Sequence, residues 1–273
     1  MPMLGEPRLL KPIEIFTQKQ LRLHGLPTFC YLCGHELAGN DVDRDHCPPK
    51  GFFSATDRTN FPIILPTHRT CNNGWKEADE IVGIVVDALH DQKKSSNLEH
   101  TGKLEAYSIP FSNKEAAAVT NLPLVAMTKR IFRGMHALLY RQHLHGKIME
   151  ATHVPLPAVD LETGLPIQPL DQFFAFGAVV RRGLLTRSAD TITAYNGKFR
   201  YACVWSYLSN GEPCCIFAFD IYAFHHLAPK VKNFPRVFVG LYKPEIAPST
   251  GAWESEIKFD ISPTEMLDPW CRS

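Results

Sequence analysis

The chain has 273 residues, 45% of them hydrophobic, and its 29 basic and 28 acidic side chains leave a formal net charge of +1. This length suits one large or two modest globular domains. The nearly balanced charge excludes a protein that holds nucleic acid through a strongly basic overall field. No run of about 18 uncharged apolar residues occurs, and the first residues lack the apolar segment of a secretory signal. We therefore expect a cytoplasmic protein without membrane contact, whose cysteines are reduced.

Residues 1–28 form a lead-in segment before the first motif. Apolar and charged side chains are interspersed in it, and Gly25 and Pro27 end the pattern. Further on, a polar stretch without periodicity at 91–97 predicts a domain boundary. We accordingly divide the chain into the lead-in segment at 1–28, a domain at 29–95 and a second domain at 96–273.

Two pairs of metal-ligating side chains lie in the 29–95 domain. Two residues separate Cys30 from Cys33, and two separate His68 from Cys71. This gap lets each pair occupy two corners of a zinc tetrahedron, so we predict a structural zinc ion bound by all four residues. Two alternatives stay open: a redox-active pair of Cys30 and Cys33, and Cys47 in place of His68 as the fourth ligand.

An acid followed directly by a histidine, Asp45 and His46, lies between the two pairs, and two carboxamides, Asn72 and Asn73, follow the second pair. A neutral imidazole is a competent general base near neutral pH, and carboxylate and carboxamide oxygens suit magnesium. Hydrolysis of a phosphodiester needs both, because water must be activated and charge on the phosphate neutralised. The simpler interpretations are a surface salt bridge for the first two residues and helix caps for the asparagines.

Together, Cys-x-x-Cys, Asp-His-x-Pro-Pro, a later Asn and a terminal Cys-Asn resemble the HNH endonuclease family. The resemblance implies a zinc-stapled ββα-metal fold and metal-dependent hydrolysis of phosphodiester bonds, with DNA as the favoured substrate and defence or restriction as a setting. It implies His46 as the general base, Asp45 and Asn72 as ligands of a catalytic Mg²⁺ or Mn²⁺, and Asn60 as the residue that orients the base. The chain departs from the commonest pattern in two places, with His68 in place of a zinc-binding cysteine and Asn72 in place of a closing histidine.

Basic residues are concentrated around these motifs, although the whole chain is almost neutral. Because phosphate contacts dominate affinity for nucleic acids, a local basic surface would be enough to hold the substrate. A solvated surface is the alternative for each residue. We predict that Lys50, Arg69 and Lys76 contact the substrate, and Arg44 and Arg58 lie in the same region.

A helix is predicted from Asn73 to about Gln92, where apolar side chains recur at helical spacing. Acids are concentrated in its first turns, where they suit the helix dipole. This helix would complete the ββα unit. Asp79 or Glu80 could also contact a metal-bound water, although an acid that faces solvent is the simpler interpretation.

A second, longer helix is expected over 112–145, because alanines are strong helix formers and Pro123 would restart the pattern. Basic residues spaced along a helix are either a track for a nucleic-acid backbone or, more commonly, a solvated face. We expect the solvated face for Lys129, Arg130, Arg133 and Arg141.

The rest of the second domain predicts a mostly antiparallel sheet backed by this helix, so the chain as a whole is predicted to be α+β. Asn-Gly pairs at 196–197 and 210–211 predict hairpins. His225 and His226 have no acid or cysteine at useful spacing, so we interpret them as structural. The expected strands are 173–180, 191–195, 199–207, 214–221 and 236–241.

The task of the second domain is not specified by any motif. We expect it to bind substrate, a partner protein or another copy of the chain. The sequence therefore predicts an HNH-type endonuclease in the first third of the chain. The alternative is a non-catalytic, zinc-dependent nucleic-acid-binding or interaction module.

Overall fold

The computed structural model of the chain describes residues 12–53, 62–90, 106–111, 114–119, 122–144, 148–153, 170–207, 211–222, 237–243 and 270. The features predicted from sequence that fall outside these ranges include Arg58, Asn60, Asn210, the boundary at 91–97 and the pair His225 and His226.

The described residues form an α+β fold, as predicted. The helices are α1 (Gln18–His24), α2 (Arg69–Asn73), α3 (Lys76–His90), α4 (Leu124–Tyr140) and α5 (Leu170–Thr186). The strands are β1 (Ile13–Ile15), β2 (Val42–His46), β3 (Ile64–His68), β4 (Ala106–Phe111), β5 (Lys114–Val119), β6 (Ile148–His153), β7 (Asp190–Ala194), β8 (Phe199–Tyr207), β9 (Pro213–Ile221) and β10 (Val237–Tyr242). Of the helices in these ranges, none is both long enough and apolar enough to cross a bilayer.

A six-stranded sheet in the order β1-β7-β8-β9-β10-β6 organises the fold. Only the β1–β7 pairing is parallel, and the other four neighbours pair in antiparallel fashion. The predicted strands in β7 to β10 are confirmed. Between β7 and β8 the chain turns through Asn196 and Gly197, which adopt positive φ angles of 55° and 83°. Asn and Gly tolerate this conformation better than other residues do, which is why the pair marks the hairpin.

The 29–95 segment contains the predicted order of two strands followed by helix. Strands β2 and β3 pair in antiparallel register from Val42 opposite His68 to His46 opposite Ile64. Helix α2 begins at the residue after β3, and α3 follows after a short turn. The lead-in segment, whose role the sequence left undecided, supplies β1 and the capped helix α1.

Two predictions of secondary structure were wrong. The run at 173–180 lies within α5, where Phe176, Val179, Val180 and Leu184 pack together at helical spacing. A short apolar run is compatible with either a strand or a buried helix, so periodicity alone could not decide. The alanines at 116–118 lie in β5, which pairs with β4. Tertiary pairing there overrides the high helix propensity of alanine, and the helix begins only after Pro123.

The sheet separates two layers of core. On one face, α5 covers Ala202 and Val204 of β8. The alternate residues Cys203 and Trp205 face a larger cluster that contains α4 and the buried side chains of the 29–95 segment. Contacts across the predicted domain boundary include Phe53 stacked on Tyr195, with ring centroids 4.4 Å apart, and Phe52 edge-on to Phe238. The two predicted domains thus share one hydrophobic core.

Candidate metal centre and active-site cleft

The four predicted zinc ligands converge at one point. Cys30 and Cys33 lie in the loop before β2, His68 ends β3, and Cys71 lies in α2. Their ligating atoms all lie within 4.8 Å of one another, and this is the one such group of histidine, cysteine and acidic side chains within the described ranges. The cluster could hold a metal ion such as zinc.

The hydrogen bonds around the cluster suit a metal ion. Nδ1 of His68 faces Sγ of Cys33 at 3.4 Å, and the other ring nitrogen, Nε2, lies 3.1 Å from the carbonyl oxygen of Glu36. That carbonyl selects the tautomer protonated on Nε2, which leaves Nδ1 free to ligate. The backbone amide of His68 and the hydroxyl of Thr67 both lie within hydrogen-bonding distance of Sγ of Cys30, an arrangement that suits a thiolate. Three sulfurs and one imidazole form a common structural zinc site.

Of the two alternatives for this motif, Cys47 as the fourth ligand does not fit the structure. Cys47 is fully buried, and its sulfur lies 4.0 Å from the carbonyl oxygen of Ile131 in α4, away from the cluster. Burial raises the pKa of its thiol, so it behaves as a small apolar side chain. Cys30 and Cys33 have two further ligands beside them, as expected for a metal site rather than for an isolated redox pair.

A cleft of about 530 Å³ opens beside the cluster. It lies between the end of β2, the turn at Lys50–Phe52 and the helices α2 and α3. The turn approaches α3 closely. A Cβ atom at Gly51 would lie only 2.7 Å from the carbonyl oxygen of Asp79, so only glycine leaves room for this approach. The lining includes five residues predicted to belong to the site and two weighed as metal-water contacts: Asp45, His46, Lys50, Asn72, Lys76, Asp79 and Glu80.

His46 is half-buried at the end of β2 and lines the cleft. Burial of the ring, followed by the positive charge of Lys50, lowers the pKa of His46 to about 4. The imidazole is therefore neutral at physiological pH, which is the form a general base requires. Asn60, the predicted orienting residue, lies outside the described residues.

Of the two carboxamides, Asn72 lines the cleft and Asn73 is exposed outside it. Both lie at the end of α2, and α3 begins only at Lys76, so neither stands at a helix N-cap. The capping interpretation is therefore wrong. Nδ2 of Asn72 donates to Oδ2 of Asp43 at 3.1 Å.

Asp45 has partners that sequence reasoning missed. Its Oδ1 accepts from Nη2 of Arg130 in α4 at 2.6 Å, and its Oδ2 accepts a short hydrogen bond from the hydroxyl of Tyr31. Arg130 also donates through Nη1 to Asp79 at 2.6 Å, and its guanidinium lies 5.0 Å from the centre of the Trp75 ring. Asp45 is 4% exposed and Arg130 is 0% exposed. The solvated face expected for Arg130 is therefore wrong.

These contacts test whether a divalent cation fits between Asp45 and Asn72. Both carboxylate oxygens of Asp45 already have donors, and a guanidinium lies 2.6 Å from one of them. A cation bound to that oxygen would face a like charge across a buried site. The predicted pair of ligands therefore does not fit the structure described here.

The basic residues divide into two groups. Lys50, Lys76 and Arg44 line the cleft, so their charges can reach a phosphate placed there. Arg69 is exposed on α2 and belongs to no part of the cleft lining. The predicted contact of Arg69 with substrate thus has less structural support than those of the two lysines.

Comparison of the chain with protein-family models, with curated proteins and with solved structures finds no match in any of the three. The resemblance to HNH endonucleases therefore rests on the motif residues alone. The fold and the geometry of the cleft have to carry any functional assignment.

One signal could have identified Arg130 from the sequence. It lies three residues after Met127 and four before Gly134, which places it on the buried face of α4 rather than among the exposed positions. An arginine on an apolar helix face needs an acidic partner. Nothing in the local pattern, however, specifies which acid that is.

Proposed function

We propose that the chain is an endonuclease that hydrolyses phosphodiester bonds in DNA. The observation that carries this proposal is the convergence of His46, Asn72, Lys50 and Lys76 in one cleft beside the cysteine and histidine cluster. A neutral imidazole together with two cations in one cleft suits the attack of water on a phosphodiester. A setting in defence or restriction is carried over from the resemblance alone.

In this proposal His46 removes a proton from the attacking water. Lys50 and Lys76 hold the phosphate, and their charge favours the transition state, in which negative charge on the phosphate oxygens must be stabilised. Asn72, close to the cleft surface, orients substrate or water through its carboxamide. The cluster of Cys30, Cys33, His68 and Cys71 would hold zinc and fix β3 and α2 relative to the loop before β2.

A catalytic magnesium or manganese ion is the group that the resemblance adds. When bound, such an ion neutralises charge on the phosphate and on the departing oxygen. Because Asp45 does not fit as its ligand, we assign no protein ligands to the ion. Dependence on a divalent cation stays a prediction.

A second candidate is a zinc-stabilised module that binds nucleic acid without cutting it. The observation that favours it is the engagement of both Asp45 oxygens by protein donors, because a predicted metal ligand then has a purely structural role. Lys50 and Lys76 would still hold a phosphate backbone in this case. The two candidates differ in whether His46 has a chemical role.

The test is incubation of the purified, zinc-loaded chain with supercoiled and linear DNA, with magnesium, with manganese and with neither. We expect cutting that requires a divalent cation and that falls by a factor of about 100 to 10,000 in His46→Ala. His35→Ala is the matched control, because His35 is exposed in the cysteine loop and does not line the cleft. Binding of DNA without cutting by the parent protein would favour the non-catalytic module instead.

A further inference from the structure

Helix α4 contacts the chain on both sides of His46. On the N-terminal side, Arg130 of α4 forms the buried ion pair with Asp45. On the C-terminal side, the sulfur of Cys47 packs against the same helix, near Ile131 and Gly134. The residues before and after the candidate base are therefore both held by one element of the predicted second domain, 96–273.

The contact at Gly134 leaves no room for a side chain. A Cβ atom at this position would lie 2.3 Å from Sγ of Cys47 and 3.2 Å from Cδ1 of Leu65. A distance of 2.3 Å is far shorter than a van der Waals contact between carbon and sulfur. Glycine is thus required here so that the backbone of α4 can approach the residue that follows His46.

The contact at Asp45 is specific in geometry as well as in charge. Arg130 uses Nη2 for Asp45, Nη1 for Asp79 and Nε for the hydroxyl of Tyr31 at 3.3 Å. Three donors in a fixed planar fork are available to arginine and not to lysine. The network therefore joins β2, α3 and the loop of Cys30 and Cys33 to α4 in one arrangement.

We propose that α4 positions His46 in the cleft, with Arg130 and Gly134 as positioning residues and with Asp45 as the anchor of β2 rather than as a cation ligand. Arg130 has no exposed surface, so it acts through Asp45 and does not touch substrate. The predicted second domain, 96–273, then supports the base through α4. This inference rests on the proposed function only for its kinetic consequences, because the placement of His46 can be measured in a chain that cuts nothing.

The first experiment introduces a steric clash between α4 and Cys47 and then removes it with a second substitution. In Gly134→Ala we expect the imidazole NMR resonances of His46 to shift. These resonances are assigned by their loss in His46→Ala. We also expect kcat for DNA cutting to fall about 100-fold with KM little changed, since a displacement of about 1 Å can cost that much. Cys47→Ala removes the sulfur that the new Cβ would meet. The double variant Gly134→Ala with Cys47→Ala should therefore regain the parental His46 resonances and most of kcat.

The second experiment keeps the positive charge at position 130 and removes the planar set of three N–H donors. Arg130→Lys should also shift the His46 resonances and lower kcat with little change in KM. His46 resonances that stay at parental positions in folded Gly134→Ala and Arg130→Lys would overturn the inference. So would a double variant that folds as stably as the parent without regaining them. If the parent cuts no DNA, the proposed function fails, whereas the resonances still decide whether α4 positions His46.

Discussion

Nη2 of Arg130 lies 2.6 Å from Oδ1 of Asp45, and both side chains are buried. The two residues come from different predicted domains, 29–95 and 96–273, so the pair links the cleft to the element that packs behind it. Removing one partner of such a pair leaves an uncompensated charge in the interior, which costs more than the pair itself contributes.

This asymmetry can be measured with a double-mutant cycle. We expect Arg130→Met to lower the free energy of unfolding by about 3–5 kcal/mol, because Asp45 is then a buried carboxylate without its cation. Asp45→Asn should cost less, because Arg130 keeps its ion pair with Asp79. The double variant should lose clearly less than the sum, because no buried carboxylate is then left at position 45 and only the partly exposed Asp79 has lost its partner. Urea unfolding of the zinc-loaded protein provides the measurement.

Asp43→Asn is the control for the cycle, because Asp43 lies on the same strand, is more exposed and accepts from Asn72. Its loss of stability should be a small fraction of that in Asp45→Asn. A gain of stability in Asp45→Asn would instead show that burying the Asp45 charge costs more than its ion pair with Arg130 returns.

Zinc should be present at one ion per chain and should stabilise the fold. Cys71→Ser is expected to lose the ion and to unfold at lower temperature, because the binding free energy of a structural zinc is folding free energy. Cys47→Ala should keep the ion, since Cys47 lies outside the cluster. Elemental analysis of protein prepared without chelator checks both statements, and an absence of zinc in the parent would contradict them.

If the chain cuts DNA as proposed, the pH dependence of cutting should follow from the burial of His46. Its pKa is lowered to about 4, and the base acts in its neutral form, so the rate should be nearly constant between pH 5.5 and pH 7.5. An ordinary histidine, with a pKa near 6.5, would give about a tenfold rise over that interval. Lys50→Gln removes one of the charges that lower the pKa, so the acidic limb of the rate profile should move to higher pH.

Stability should fall in mild acid because of His136. Burial, followed by the charge of His143, lowers the pKa of His136 to about 3, whereas the unfolded chain has the ordinary value near 6.5. Between these values the unfolded state binds more protons, so stability is complete above about pH 6.5 and is lost progressively towards pH 3. His136→Phe should show a weaker dependence in urea unfolding at pH 7 and pH 5. An unchanged dependence in this variant would show that His136 does not contribute.

Substitution of Lys50 or Lys76 should weaken substrate binding more than substitution of Arg69. Lys50→Gln and Lys76→Gln should weaken binding of duplex DNA and reduce the slope of log affinity against log salt by about 0.9 each, the effect of one lost phosphate contact. Arg69→Gln should change both less, because Arg69 does not line the cleft. Fluorescence anisotropy at several salt concentrations, with His46→Ala present in every variant to prevent cutting, gives the comparison. An equal effect of Arg69→Gln would extend the interface beyond the cleft.

The parts of this molecule that the sequence predicted correctly depend on short spacings. The gap between Cys30 and Cys33 and the gap between His68 and Cys71 define a metal site locally, and the pairing of β2 with β3 only has to bring them together. Strand β8 was predicted with its observed limits because its β-branched and aromatic residues end at turns.

The parts that could not be predicted depend on distant partners. The alanines of β5 pair with β4, against their own helix propensity. Arg130 can be buried because Asp45 and Asp79, which are distant from it in sequence, accept its hydrogen bonds and compensate its charge. Such pairings are decided by the whole fold, and no window of neighbouring residues contains the information.

The position of these partners along the chain also sets an order of events during synthesis. All ligands of the cluster lie between Cys30 and Cys71, so they can meet while the ribosome is still producing the residues that follow. Arg130 appears about 3 to 12 s later at ordinary elongation rates of about 5–20 residues per second, and β1 cannot pair until β7 has emerged. A nascent chain can thus have its metal cluster assembled while its cleft is still unsupported. If the chain is the endonuclease proposed above, cutting would be withheld until translation has passed α4.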